Sequence, residues 1–196
     1  MKLDSNFYRG TNVVRIARQL LGKYLLTNFD GVMTGGMIVE TEAYSWKERG
    51  CHAFGGKITS RNEVMFQEGG CAYVYLCYGI HHLFNVVTNK QNVAEAVLVR
   101  AIQPEIGIEL MKERRGALLN NNQLTSGPGK LTRALGIDRN MTGKALWDNE
   151  VWIEDKGVSI KNQHIGISKR IGIDYAGEDA DLPWRFTIKE SIWLSK

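Results

Sequence analysis

Apolar residues in this chain come in short runs, and their spacing switches between period two and the helical period. Val13, Val14, Ala17, Leu20 and Leu21 recur at helical spacing behind Thr11 or Asn12, either of which can cap a helix, and Gly22 stands where a helix-ending glycine belongs. Two apolar runs, 24–29 and 32–33, flank Asp30-Gly31, which is a hairpin signal. Gly35-Gly36 then leads into a strand over 37–44. Residues 45–70 are rich in Gly, Ser, Arg, Lys and Glu and read as a long irregular segment, a kind that is often functional. A second strand covers 72–78, Tyr78-Gly79-Ile80-His81 turns, and 83–88 returns. A third strand over 94–102 is followed by a helix that starts at Pro104 and ends near Arg115 or Gly116. Asn120-Asn121-Asn122-Gln123 then form a polar loop. Ser126-Gly127-Pro128-Gly129 opens a short helix closed by Gly136, and 151–154, 165–173 and 184–188 are further strands. The pattern predicts a mixed α/β (α+β) fold: a single domain over 1–196 with a mostly antiparallel sheet and short helices.

Composition agrees with a globular chain: 196 residues, 43% hydrophobic and 23% charged. Disorder, collagen and coiled coil are excluded as the main character, and the apolar stretches are too short for a transmembrane helix. With 21 Gly and 3 Pro, many tight turns are expected. Lys plus Arg minus Asp plus Glu is 25 − 21 = +4, which suits a polyanionic partner without demanding one. The opening MKLDSNFYRG has no apolar run, so a cytoplasmic chain with Cys51, Cys71 and Cys77 as free thiols is expected. His81 and His82 are neighbours on a strand and point to opposite faces. With four His and no Cys cluster, no metal site is expected.

The densest chemistry lies in 38–44. Strand alternation puts Ile38, Glu40, Glu42 and Tyr44 on one face. That face is either a solvated edge, where glutamate is ordinary, or a buried site where cations and donors must hold the carboxylates. Tyr73, Tyr75 and Cys77 share a face of the next strand, and Tyr78 enters an exposed turn where an aromatic suits something flat. His52 stands just before Gly55-Gly56, whose backbone could let a ligand come close. Ser126-Gly127-Pro128-Gly129-Lys130 departs from a nucleotide-binding loop, with Leu124 in place of the first Gly and Leu131 in place of Ser or Thr. It can still make an anion site, with Lys130 as the charge. Lys130, Arg133, Arg139 and Lys144 face Asp138 alone over 126–144, which suits a phosphate backbone or a solvated helix face.

Taken in order, these segments resemble the alkyladenine (3-methyladenine) DNA glycosylase family, of the mammalian alkyladenine type. The carriers are VETEAY at 39–44, HAFGG at 52–56, RNEVMF at 61–66, YVYLCYG at 73–79, Asn85, VLVRAIQP at 97–104, SGPGKL at 126–131 and RIGIDYAGE at 170–178. The resemblance implies a curved, mostly antiparallel sheet with a protruding hairpin, and double-stranded DNA containing a damaged purine as partner. It implies Glu42 as the general base, with Arg100 and the backbone carbonyl of Ile171 completing the water site. It implies Tyr44, His52, Tyr75 and Asn85 as the base pocket, Tyr78 as the residue that fills the duplex gap, and Arg61 and Lys130 at the DNA backbone. Ile80 and His81 depart from the mammalian pattern of methionine and tyrosine beside the wedge. No catalytic lysine is evident, so hydrolysis without strand cleavage is expected, from a monomer without cofactor and away from membranes. Two other readings remain open here. A carbohydrate glycosidase could use Glu40 and Glu42, which strand rise sets roughly 6.5–7 Å apart. A non-catalytic module could bind damaged DNA without releasing a base.

Overall fold

The computed structural model describes residues 1–116 and 123–195. Most of the polar loop expected at 120–123 therefore lies outside the described residues. Two short helices lead the chain: α1 (Ser5–Tyr8), capped by Asp4, and α2 (Val13–Gln19), capped by the Asn12 side chain accepting from the Arg15 N–H. β1 (Tyr24–Phe29) and β2 (Val32–Ser45) form the expected hairpin around Asp30-Gly31. β2 begins well before residue 37, because Gly35-Gly36 continues the strand. A side chain at Gly36 would collide with the Gln103 carbonyl, so glycine there permits close strand approach.

The remaining strands are β3 (Ala72–Cys77), β4 (His81–Thr88), β5 (Glu95–Ile106), β6 (Val151–Glu154), β7 (Ile165–Ser168) and β8 (Arg185–Ile188). They join one sheet in the order β3-β4-β5-β2-β1-β6, every pairing antiparallel, with β8 on β2 beside Glu40–Glu42 and β7 outside β8. The helix expected from Pro104 starts later. Pro104 lies inside β5 opposite Gly36, at a register shift where its missing N–H is tolerated. Gly107, with φ +70, ends the strand, and α3 (Ile108–Arg115) follows. The strand expected over 165–173 stops at Ser168. α4 (Pro128–Leu135) opens after Gly127 and closes at left-handed Gly136, as its sequence predicts.

Strand alternation splits the interior between the two faces. Ala72, Val74, Phe84, Val97 and Val99 join the main core with α2 and α4. Thr41 Oγ1 donates to the Ala17 carbonyl at 2.8 Å, pinning α2 to β2. Residues on the opposite face, Tyr73, Val87 and Ala96, pack with Ala53, Val64 and Met65 of the long segment after β2. Burying such apolar side chains is worth about 1.5–3 kcal/mol each for the larger ones, so this segment is anchored, not loose. Asn62 fastens it further, accepting from Thr59 N–H at 2.7 Å and donating to the His52 and Lys57 carbonyls at 2.8 and 2.9 Å. No helix among the described residues is long and apolar enough to cross a membrane.

Candidate active site

The site grows from an irregularity between β2 and β5. Ile38 pairs with Ile102, Glu40 with Ala101 and Thr41 with Val99, so Val39 and Arg100 are each left without a residue opposite. Bulges of this kind re-aim side chains. Glu40 and Glu42 are both 0% exposed, which removes the solvated-edge reading of this face. β8 covers it from one side, and the turn at Ile171 from another.

Arg100 lies between the two carboxylates. Its Nη1 donates to Glu42 Oε2 at 3.2 Å and its Nε to Glu40 Oε1 at 3.1 Å. Burial pulls the Arg100 pKa down, but Glu42 and Glu40 outweigh that and leave it above its ordinary value. Tyr44 Oη also donates to Glu42 Oε2, at 2.7 Å, and the Ile171 N–H donates to Glu42 Oε1 at 2.8 Å. Burial first, and the Glu42 charge second, hold the Tyr44 phenol well above its ordinary value, so it stays a donor.

Over this layer opens a cavity of about 490 Å³. Tyr44, His52, Arg61, Tyr75, Tyr78, Asn85, Arg100 and Ile171 all line it, from positions spread over residues 44–171. Glu42 sits directly behind the wall, bonded to three of the lining residues. His52 meets the Tyr75 ring edge-on, with centroids 4.6 Å apart, and its Nδ1 lies 2.8 Å from Tyr73 Oη. Burial, helped by the Arg61 charge, pushes the His52 imidazole down to about 4. It is therefore neutral at neutral pH. Asn85 donates to the Tyr73 and Leu83 carbonyls at 3.1 and 3.3 Å, which fixes its orientation.

A family model described as methylpurine-DNA glycosylase matches residues 6–192. The chain belongs to the methylpurine-DNA glycosylase family. It is thus a DNA glycosylase, an enzyme of DNA repair. It is 44% identical to a protein of Carboxydothermus hydrogenoformans over 196 residues, all of both chains. It is 41% identical to one of Desulfitobacterium hafniense over 202 residues, 99% of this chain and 98% of that one. It is 43% identical to one of Chlamydia pneumoniae over 188 residues, 95% of this chain and 94% of the other. All three relatives are provisionally named 3-methyladenine DNA glycosylases.

Around the glycosylase cavity the structure adds residues that sequence reasoning passed over. Arg170 is buried with its guanidinium 4.7 Å over the Tyr44 ring and 5.3 Å over that of Trp184. Glu48 grips it through both carboxylate oxygens at 2.7 and 2.8 Å. Nothing in local spacing joins these partners, which stand 122 residues apart. Ser195 and Arg185 enter through their contacts with Glu40, and Tyr175 lines the cavity mouth. Arg61 is placed with its guanidinium 4.9 Å over the Tyr75 ring. Lys130 stands apart from the cavity, in a second cleft of about 420 Å³ with Ile80, His81 and Arg133. The three cysteines are free; burial raises the Cys51 thiol to about 12 and the Cys71 thiol to about 11. Among the described residues no three or more His, Cys, Asp or Glu side chains gather as a metal-binding set.

Proposed function

We propose that this glycosylase draws a damaged purine, of the 3-methyladenine, 7-methylguanine, hypoxanthine or ethenoadenine class, out of duplex DNA. It then hydrolyses the N-glycosidic bond with a water activated by Glu42, leaving the strand uncut. It acts as a cytoplasmic monomer. The observation that carries this reading is where the contacts of Glu42 lie. Every group bonded to its carboxylate, Tyr44, Arg100 and the Ile171 amide, belongs to a residue that also lines the cavity. Of the residues bonded to Glu40, Arg100 alone does so. A two-carboxylate glycosidase needs both acids at the bond being broken, and Glu40 is turned away from it.

Chemistry inside a base stack is impossible, so the nucleotide must first be extruded at a cost of a few kcal/mol. Tyr44 and Tyr75 then offer ring faces to the base, and a cationic alkylated purine is attracted to them. Glu42 Oε1 accepts from the Ile171 N–H, and an oxygen with two lone pairs keeps one for a proton of water. The water oxygen bonds to the sugar C1′ as its proton passes to Glu42. The C1′–N bond breaks and the purine leaves with the electron pair: a cationic alkylated base leaves neutral, and a neutral base such as hypoxanthine leaves as an anion that takes a proton from solvent. The carboxylate also opposes the positive charge that develops on the sugar. No lysine is among the described residues lining the cavity, which favours water as the nucleophile over an amine.

The test is Glu42→Gln under single-turnover conditions, with duplexes carrying 3-methyladenine, hypoxanthine or 1,N6-ethenoadenine, assayed for free base and abasic sites. The amide keeps the shape but cannot take the proton, so base release falls by about 10²–10⁴-fold while lesion binding persists. A near-normal rate in this variant overturns the assignment of Glu42.

A further inference from the structure

Glu40 is a buried carboxylate that the reaction does not use, and burying one is costly unless it is fully paired. Here it is. Arg185 Nε donates to Oε1 at 2.7 Å, Ser195 Oγ to the same oxygen at 2.6 Å, and the Ser195 N–H to Oε2 at 2.7 Å. Arg100 Nε completes the set. Ser195 also reaches Arg100: both Nε and Nη2 donate to its Oγ at 3.2 Å. Every nitrogen of the Arg100 guanidinium is thus assigned. Nε and Nη2 are held on the Glu40–Ser195 side, and Nη1 is left for Glu42.

We infer that Glu40, braced by Arg185 and Ser195, is a positioning residue that aims Arg100 and shares its charge, and so keeps Glu42 free to act as a base. This rests on the reading of Glu42 as that base. Arg100 is the extra residue of a bulge, so no paired residue across the ladder constrains it, and its side-chain contacts must. Charge makes the second part of the argument. Two carboxylates and two guanidiniums, Glu40, Glu42, Arg100 and Arg185, sum to zero. Without Glu40, Arg100 turns its whole charge on Glu42, and a carboxylate in a stronger ion pair is a weaker base. The other groups facing Glu42 are Tyr44 on its own strand, Arg100 on β5, Arg185 opposite it on β8, and Arg170 beside Ile171. Of these, Arg100 and Arg185 are bonded to Glu40 and feel its loss, whereas Tyr44 and Arg170 make no bond to it.

The experiment compares wild type, Glu40→Gln, Ser195→Ala and Ser195→Thr by single-turnover base release against pH, lesion-duplex binding and melting temperature. Glu40→Gln slows base release about 10- to 100-fold, the loss expected when a reacting group is misplaced. Its binding is unchanged, and the acidic limb of its pH profile moves to lower pH. Ser195→Ala removes one hydroxyl and no charge, so it slows release several-fold without moving the limb, and Ser195→Thr restores the rate. A merely structural role lowers the melting temperature but leaves rate and pH limb at wild-type values below it, and that result overturns the inference. If Glu40→Gln does not fold, the serine pair decides alone: an unchanged rate in Ser195→Ala overturns it. Failure of the wild type to release any base would instead sink the reading of the site itself.

Discussion

His52 shows how burial selects a protonation state that the site can use. Its ring is pressed edge-on against Tyr75 and bonded to Tyr73 Oη, and its pKa falls to about 4 from an ordinary 6.5, first through burial and then through Arg61. Between those values the unfolded chain binds the proton and the folded chain does not. Stability from this group is therefore complete above the window and lost as pH falls from about 6.5 towards 4. At about 1.4 kcal/mol per tenfold in proton affinity, the whole window is worth about 3 kcal/mol. Denaturant unfolding of wild type and His52→Gln at pH 7 and pH 5 checks this. The wild type loses more stability between the two than the variant; equal losses would show that His52 titrates normally. The motif around His52 was legible in the chain, but its charge state was not, because that depends on Tyr73, Tyr75 and Arg61 closing over it. Arg170 is the stronger case. Its place under Tyr44 depends on Glu48, and no spacing rule links the two.

The β3–β4 hairpin carries its information in the turn. Tyr78 and Gly79 have φ +51 and +74, and the Ile80 N–H donates back to the Cys77 carbonyl at 3.1 Å, the form of a type I′ turn. Asn-Gly is the local optimum there. A bulky aromatic held at positive φ costs about 1–3 kcal/mol, and such strain persists at functional sites. Packing does not repay it, since Tyr78 is 89% exposed. Folding therefore does not account for the ring. Tyr78→Asn relieves the backbone, so its melting temperature should equal or exceed that of wild type. The same change removes a stacking ring worth about 1–3 kcal/mol, so base release from duplex slows and a fluorescent-base extrusion signal weakens. A large melting drop with intact extrusion would remove Tyr78 from the DNA interface and tie its ring to folding. The turn was legible from Tyr78-Gly79 and the flanking alternation. Two other elements were misread for one physical reason: Gly35-Gly36 and Pro104 punctuate most chains, yet here they face each other inside a ladder. Glycine gives the room, and the register shift spares proline its missing donor.

At the scale of the whole molecule, the hairpin tip divides two concavities. Tyr78 lines the cavity over Glu42, while Ile80 and His81, just beyond the turn, line the cleft that holds Lys130. Gly129 lets α4 close up to the hairpin here, since a side chain on it would lie 2.9 Å from the His81 ring. Alternation along the chain made the sheet, the short helices and the face of Glu42 readable. It could not show that α4 and the hairpin meet, because that contact is set by how β4 and α4 pack. Arg115, Lys130 and Arg133 share this cleft with His81 and His82, and no carboxylate lines it among the described residues. A chain of net charge +4 thus concentrates cations beside the hairpin tip, where a duplex seated on Tyr78 would bring its phosphates. Each phosphate neutralised releases counterions, so log K for duplex falls linearly with log salt. Lys130→Ala should lower that slope by roughly one and weaken damaged and undamaged duplex alike, since a phosphate contact carries no information about the base. Filter or anisotropy titrations across a salt series measure both quantities at once. A lower affinity for damaged duplex alone would instead tie Lys130 to the extruded base, and an unchanged slope would move the phosphate path off this cleft and away from α4.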